Sequence, residues 1–219
     1  MEKFIRYDDI VVMEINDELP NNCNALNANY MRVSLPSTYD NIRAMQAMDF
    51  TFGDRMLKVK ILPARTKLDY AGLVRTKPEL TDLYKEEILS IACESFLTDR
   101  RFHVAPNYDD MLARKILKCW ISDIDKCFVC KVKDEVAGFL ALKQINEQTV
   151  SIHLAAVRQR WRVAGIATSL YANAIQWAKE QGFSCVEGYI SAANTAVLNL
   201  YSFLGGSFSE PEDVFLKEL

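Results

Sequence analysis

The chain has 219 residues, half of them hydrophobic and a quarter charged, the mix of a globular protein able to bury a sizeable core. A formal net charge of −3 argues against nucleic acid as a partner, because the basic residues are dispersed except for Arg158, Arg160 and Arg162, a cluster whose scale suits the phosphates of a small ligand. The stretch MEKFIRYDDIVVM lacks a charged segment followed by a long apolar core, and no apolar run reaches membrane-spanning length, so the expectation is a cytoplasmic protein with no membrane partner.

In chain order, residues 4–15 read as a strand pair or one interrupted strand, and residues 17–29, with five Asn and one Pro, as a loop. MRVSLP predicts a strand, Tyr39 to Met48 a short helix on Ile42, Met45 and Met48, and MLKVKIL a further strand. This first third carries no visible catalytic motif. Residues 40–62 faintly echo residues 194–219, each a helix running into an aromatic turn and a strand, so the first third is either a degenerate half-copy of the later domain or an added α/β layer. Pro63 to Leu68 reads as a linker, dividing the chain into a small α/β subdomain, 1–65, and a main domain, 66–219.

Beyond it, AGLVRTK predicts a short strand, Thr76 to Thr81 a turn, Asp82 to Phe96 an amphipathic helix, residues 97–103 a polar loop, and Asp109 to Ile124 a second helix. KCFVCKVK and VAGFLALK form a hairpin that leads into a strand at Val150 to Val157. A helix then opens at Gly165 and carries Ile166, Leu170, Ala174, Trp177 and Ala178 on one face. Ser184 to Ile190 is the next strand, Asn194 to Leu204 a helix, and Val214 to Leu219 a last short strand. Cys127 and Cys130 lie three apart on a strand and point to opposite faces, so the six cysteines read as free thiols and no metal site is expected.

The chemistry concentrates between the strand ending at Val157 and the helix at Gly165. In Arg162-Val163-Ala164-Gly165-Ile166-Ala167 the small residues keep bulk away from the first helical turn. Backbone N–H groups there lack partners inside the helix and carry the positive end of its dipole, which makes an anion site of pyrophosphate scale. Taken alone, six such residues serve equally as a tight strand-to-helix connection.

The run from Val157 to Ala167 resembles the acyl-CoA-binding signature of the GNAT superfamily of N-acyltransferases, with Ala167 where glycine is commoner and Gln159 where proline is usual. The resemblance implies an α/β (α+β) fold, a mixed central sheet splayed at the acyl-CoA site, here with a small N-terminal α/β extension. It implies acetyl-CoA as co-substrate, its pantetheine arm along the backbone of Ala155, Ala156 and Val157 and its pyrophosphate on Arg162, Val163, Ala164, Gly165, Ile166, Ala167 and Thr168. Asn194 caps the next helix two turns before Tyr201. The resemblance gives Asn194 a contact to CoA and Tyr201 the role of proton donor to the departing sulfur, although taken by itself such a tyrosine is a core aromatic. For the base, Glu187 and His153 flank the gap; each also fits a half-buried structural role, and many members of the family use no dedicated base.

The acceptor is carried by other residues. The loop with Arg101, His103 and Tyr108, the Trp120 helix, and the A-x-x-W-A-K-x-x-G and N-T-A-V-L-x-x-Y runs are similar to those of the family's TDP-fucosamine N-acetyltransferases. The implied acceptor is a nucleotide-linked amino sugar of the TDP-4-amino-6-deoxyhexose type, its diphosphate met by Arg101, His103, Arg158 and Arg160. A peptide N-terminus or polyamine is the alternative within the enzyme class, an acidic acceptor pocket being what would favour a polyamine. A CoA-binding sensor without catalysis lies outside that class, and a homodimer through the first third is open.

Overall fold

A computed structural model of the chain describes residues 2–7, 10–20, 28–65, 67–73, 79–80, 84–96, 110–162 and 164–219. The strands are β1 (Glu2–Tyr7), β2 (Ile10–Asn16), β3 (Tyr30–Pro36), β4 (Thr51–Ile61), β5 (Glu79–Leu80), β6 (Lys126–Val132), β7 (Glu135–Gln144), β8 (Thr149–Val157), β9 (Cys185–Ser191) and β10 (Ser207–Glu218). The helices are α1 (Tyr39–Ala47), α2 (Lys85–Phe96), α3 (Asp110–Ser122), α4 (Ile166–Glu180) and α5 (Thr195–Phe203). All ten strands join one mixed sheet in the order β1-β2-β3-β10-β4-β9-β8-β7-β6-β5.

That order repeats itself outward from the β10–β4 pair. On one side a hairpin, β1–β2, is followed by β3 parallel to β2; on the other, the hairpin β7–β8 is followed by β9 parallel to β8. Each arm then passes through a nine-residue helix, α1 or α5, into a long strand that crosses to the other arm: β4 pairs with β9, and β10 with β3. The two crossing strands pair with each other in antiparallel fashion. Arg55 on β4 clamps them, its guanidinium making a two-pronged contact to the buried Asp213 on β10 at 2.7 and 3.0 Å.

Helices cover both faces of the sheet around β7 and β8. Cys127 packs into the core under α2 and α3, and Cys130 into the core under α4, as their spacing along a strand demands. Ile166, Leu170 and Ile175 of α4 are all but inaccessible to solvent, each burial worth on the order of 2 kcal/mol, which fixes the start of that helix against the sheet. A third cluster, Met13, Ile15, Met31, Val33, Met45 and Phe215 among its members, sits under α1.

Three local expectations fail. Within Thr76 to Thr81, expected as a turn, Glu79 and Leu80 form β5 and pair with Val129 and Phe128 of β6. Ala71–Leu73 is a turn of 3-10 helix rather than strand, because the Asp69 carboxylate accepts from the Gly72 N–H at 3.1 Å and the Tyr70 ring is anchored in the core with its hydroxyl donating to the Leu204 carbonyl. The last strand begins at Ser207, seven residues earlier than the apolar pattern indicates. Its polar half reads as a loop, yet Ser207 to Ser209 pair with β4 and Glu212 and Asp213 lie between β3 and β4, with Pro211 accommodated where the pairing to β4 shifts register between Ser209 and Glu212.

Candidate active site

β8 and β9 share a ladder only from Thr149↔Cys185 to Ile152↔Gly188. Beyond that rung β9 continues on β4, to Met56↔Ser191, and β8 continues on β7, to Gly138↔Val157. The cause is written into β8: Ala141 faces Leu154 and Leu142 faces Ile152, so His153 is an extra residue, a β-bulge at the last shared rung. A bulge bends its strand and raises the local twist, which turns β8 away from β9. The β8 edge that faces β9 therefore runs past His153 with no strand to pair with, and a cavity of about 490 Å³ opens at the parting.

At the far end of this edge the chain turns into α4. Gly165 is the N-cap residue, with φ of 74°, a left-handed conformation that favours glycine, and a Cβ built there would meet nothing within 4 Å. No side chain caps the helix and its first turn holds no acidic residue. Bare N–H groups, the dipole's positive end and open space in front of Gly165 fit a pyrophosphate. Arg162 instead braces the strand end, its Nε donating to the Val157 carbonyl at 3.2 Å and its Nη2 to Ser95 Oγ at 3.4 Å. Val163 lies outside the described residues; Ala164 is exposed, Ile166 turns into the core, and Ala167 and Thr168 are half-buried.

Of the residues singled out in the sequence, Ala155, Asn194 and Tyr201 meet at the cavity, together with His153 and Trp120. Ala156 and Val157 instead pack into the cores on opposite faces. Asn194 caps α5, its Oδ1 accepting from the Val197 N–H at 3.2 Å, and two turns on, Tyr201 is buried with its hydroxyl beside Gly188, at the parting of the strands. Its ring stands edge-on to Tyr171, centroids 5.2 Å apart. Burial pushes the Tyr201 hydroxyl well above the usual phenol value and Tyr171 beside it raises it further, while burial pushes Tyr171 itself up to about 12. Tyr201 is thus protonated throughout the neutral range, as a proton donor must be.

Part of the cavity lining comes from places the sequence did not indicate. Asp17, just past β2, Arg32 on β3, Glu212 on β10 and Phe96 on α2 line it together with Trp120 on α3. Burial raises the Glu212 carboxyl above its usual value, Asp17 adds to the rise, and Lys58 and a hydrogen bond from Tyr189 oppose it. His153 stands edge-on to Trp120, centroids 6.3 Å apart, its Nε2 buried and without a partner. Burial lowers the His153 pKa, Lys143 lowers it further, and Asp123 and Asp125 pull it up.

Of the two residues expected to flank the gap, only His153 does so. Glu187 pairs with Ser151 before the strands part and lies 3.8 Å from Lys58. Arg158 and Arg160 are also engaged elsewhere: Arg158 reaches Glu94 at 3.2 Å and Glu135 at 3.4 Å, and Arg160 also bonds Glu135. Arg101, His103 and Tyr108 lie outside the described residues. Among the described residues, no group of three His, Cys, Asp or Glu is placed to hold a metal ion, and no helix is long and apolar enough to cross a membrane.

The mixed sheet thus parts at a bulged strand, with a bare helix N-terminus at the strand's end and a buried tyrosine in the gap. Residues 86–205 match the acetyltransferase (GNAT) family, and the chain belongs to that family. An uncharacterized N-acetyltransferase of Methanocaldococcus jannaschii is 35% identical over 98 residues, which is 42% of either protein, so the chain matches less than half the length of this relative. Among solved structures, a conserved protein of unknown function from Staphylococcus epidermidis is similar over 95% of this chain and 84% of that one, with a TM-score of 0.65 at 13% identity. A tandem GNAT protein from the clavulanic acid biosynthesis pathway is similar over 88% of this chain and 65% of its own, with a TM-score of 0.57 at 12% identity. At these identities the likeness is one of fold.

Proposed function

We propose that the protein transfers the acetyl group of acetyl-CoA to the primary amine of a small molecule. The observation that carries this reading is the parting of β8 from β9 with Tyr201 in the gap and the bare start of α4 beyond it. Acetyl-CoA lies along the free edge of β8 with its pyrophosphate on the N–H groups of residues 165–168, and Asn194 borders the same channel. The amine comes from the side of Trp120 and Glu212. Its nitrogen forms a bond to the acetyl carbon as the carbon–sulfur bond breaks; Tyr201 hands its proton to the leaving sulfur and recovers one from the nitrogen as the amide forms. The reading puts the protein in the cytoplasm, where acetyl-CoA is available, with residues 66–219 as the catalytic domain and residues 1–65 as a degenerate half-copy. The repeated strand order supports that assignment.

For the acceptor, the residues around Arg101 and His103 support a nucleotide-linked amino sugar of the TDP-4-amino-6-deoxyhexose type. A specific observation favours a second reading, a polyamine: the described cavity wall carries Asp17 and Glu212, while Arg158 and Arg160 are held by their own acids away from it. Thermal-shift titration with acetyl-CoA, then thiol release with a TDP-4-amino sugar and with spermidine, separates these. Tyr201→Phe is expected to lower kcat about 100-fold with the acetyl-CoA shift unchanged; undiminished turnover would remove Tyr201 from its role.

A further inference from the structure

Any primary amine acceptor reaches the cavity mainly as an ammonium ion, and must lose a proton before its nitrogen can attack. What receives that charge is visible in the sheet register. Glu212 on β10 pairs with Met56 on β4, and Met56 with Ser191 on β9. The three residues form one row across adjacent strands, and all of them border the cavity. With strands about 4.8 Å apart, Glu212 starts about 10 Å from the β9 side of the gap, and its side chain spans part of that distance. Asp17 joins it from β2, in a left-handed conformation with φ of 67° and its N–H fixed on the Ser34 carbonyl at 2.9 Å.

The cations nearby are already matched. Arg32 is held by Glu14 at 3.2 Å. Lys58 sits between Glu187, at 3.8 Å, and Glu210, at 3.6 Å, with its ammonium 5.7 Å from the centre of the Tyr189 ring. Asp17 and Glu212 line one cavity, and among the described residues neither carboxylate is in an ion pair.

We propose that Glu212 and Asp17 together bind the acceptor's ammonium group and that Glu212 takes its proton, so that the acceptor site of this acetyltransferase is completed by β2 and β10 rather than by β8 and β9. The inference rests on the acetyl-transfer reading. The proton passes from nitrogen to the Glu212 carboxylate, the free amine attacks, and the carboxyl releases the proton to solvent after product leaves. The raised affinity of Glu212 for a proton, set by burial and Asp17 against Lys58 and Tyr189, with Glu210 adding to the rise, suits a group that must accept one. An ammonium placed between the half-buried Glu212 and the exposed Asp17 carboxylate would gain two opposite charges at once.

The test is steady-state thiol release by the full chain with spermidine and with a TDP-4-amino sugar, for wild type, Glu212→Gln, Glu212→Asp and Asp17→Asn, each checked by its thermal shift with acetyl-CoA. The expected result is a loss of about 30-fold or more in acceptor kcat/KM for Glu212→Gln. A smaller loss, chiefly in acceptor KM, is expected for Asp17→Asn, with partial recovery in Glu212→Asp and acetyl-CoA shifts equal to wild type. The acidic limb of the pH–rate profile disappears in Glu212→Gln. Turnover by wild type with unchanged acceptor KM and an unchanged acidic limb in Glu212→Gln overturns the inference alone; absence of thiol release by wild type on both amines overturns the acetyl-transfer reading and the inference with it.

Discussion

The two arms of the sheet have the same strand order and different connections. Between β8 and β9 the chain spends residues 158–184, enough for a basic turn and the 15-residue helix α4, whose bare start faces the end of β8. Between β2 and β3 it has only residues 17–29, too few for such a helix with its two connections. The arm with the long connection has the uncapped start of α4 and the gap with Tyr201. The arm with the short one carries Asp17, just past the end of β2, into the lining of that same cavity. Loop length, more than strand pattern, divides the work between the halves.

That comparison can be broken at the joint. Arg55→Ala leaves the Asp213 carboxylate buried without a partner between the crossing strands, and a loss of about 3 kcal/mol in denaturant unfolding is expected. A cost near zero would mean that the clamp does not hold the arms together. Gly188→Ala sharpens it on the catalytic arm. A Cβ there lies 3.1 Å from the Tyr201 hydroxyl and 3.3 Å from the Ile152 carbonyl oxygen, so the donor must shift, with kcat down roughly tenfold and acetyl-CoA affinity close to wild type.

Gly165→Ala comes next. The new Cβ meets nothing, so the stability cost of about 1 kcal/mol comes from the left-handed backbone alone, and calorimetry should show weaker acetyl-CoA binding. The smallest effect is a pH slope. His153 has a folded pKa below its usual value of 6.5, so below that value the unfolded chain binds a proton that the folded one refuses, and stability falls as pH drops. Glu212 has the opposite sign: its raised pKa costs stability as pH rises past the usual value of 4.5. His153→Gln should flatten the first slope and Glu212→Gln the second, in melting curves taken from pH 4 to 8.

The catalytic arm was legible because its signals are local. Alternation marks β8, Gly165 marks the start of α4, and Asn194 marks α5 at a fixed distance from Tyr201. What was not legible depends on strands far apart in sequence. Glu212 is a polar residue in a stretch that looks like a loop until β3 and β4 are seen on either side of it, and Asp17 reaches the cavity only through the crossing of the two long strands. Arg158 and Arg160 looked free because the acids that hold them, Glu94 and Glu135, come from α2 and β7. The bulge at His153 is a property of pairing and leaves no mark in the strand's own composition.

Amide hydrogen exchange with and without acetyl-CoA tests the central claim directly. The account predicts new protection in two separated segments, the free edge of β8 at residues 153–157 and the first turn of α4 at residues 165–168, with little change along β2 and β3. Protection confined to β2 and β3, or none in either predicted segment, would contradict it.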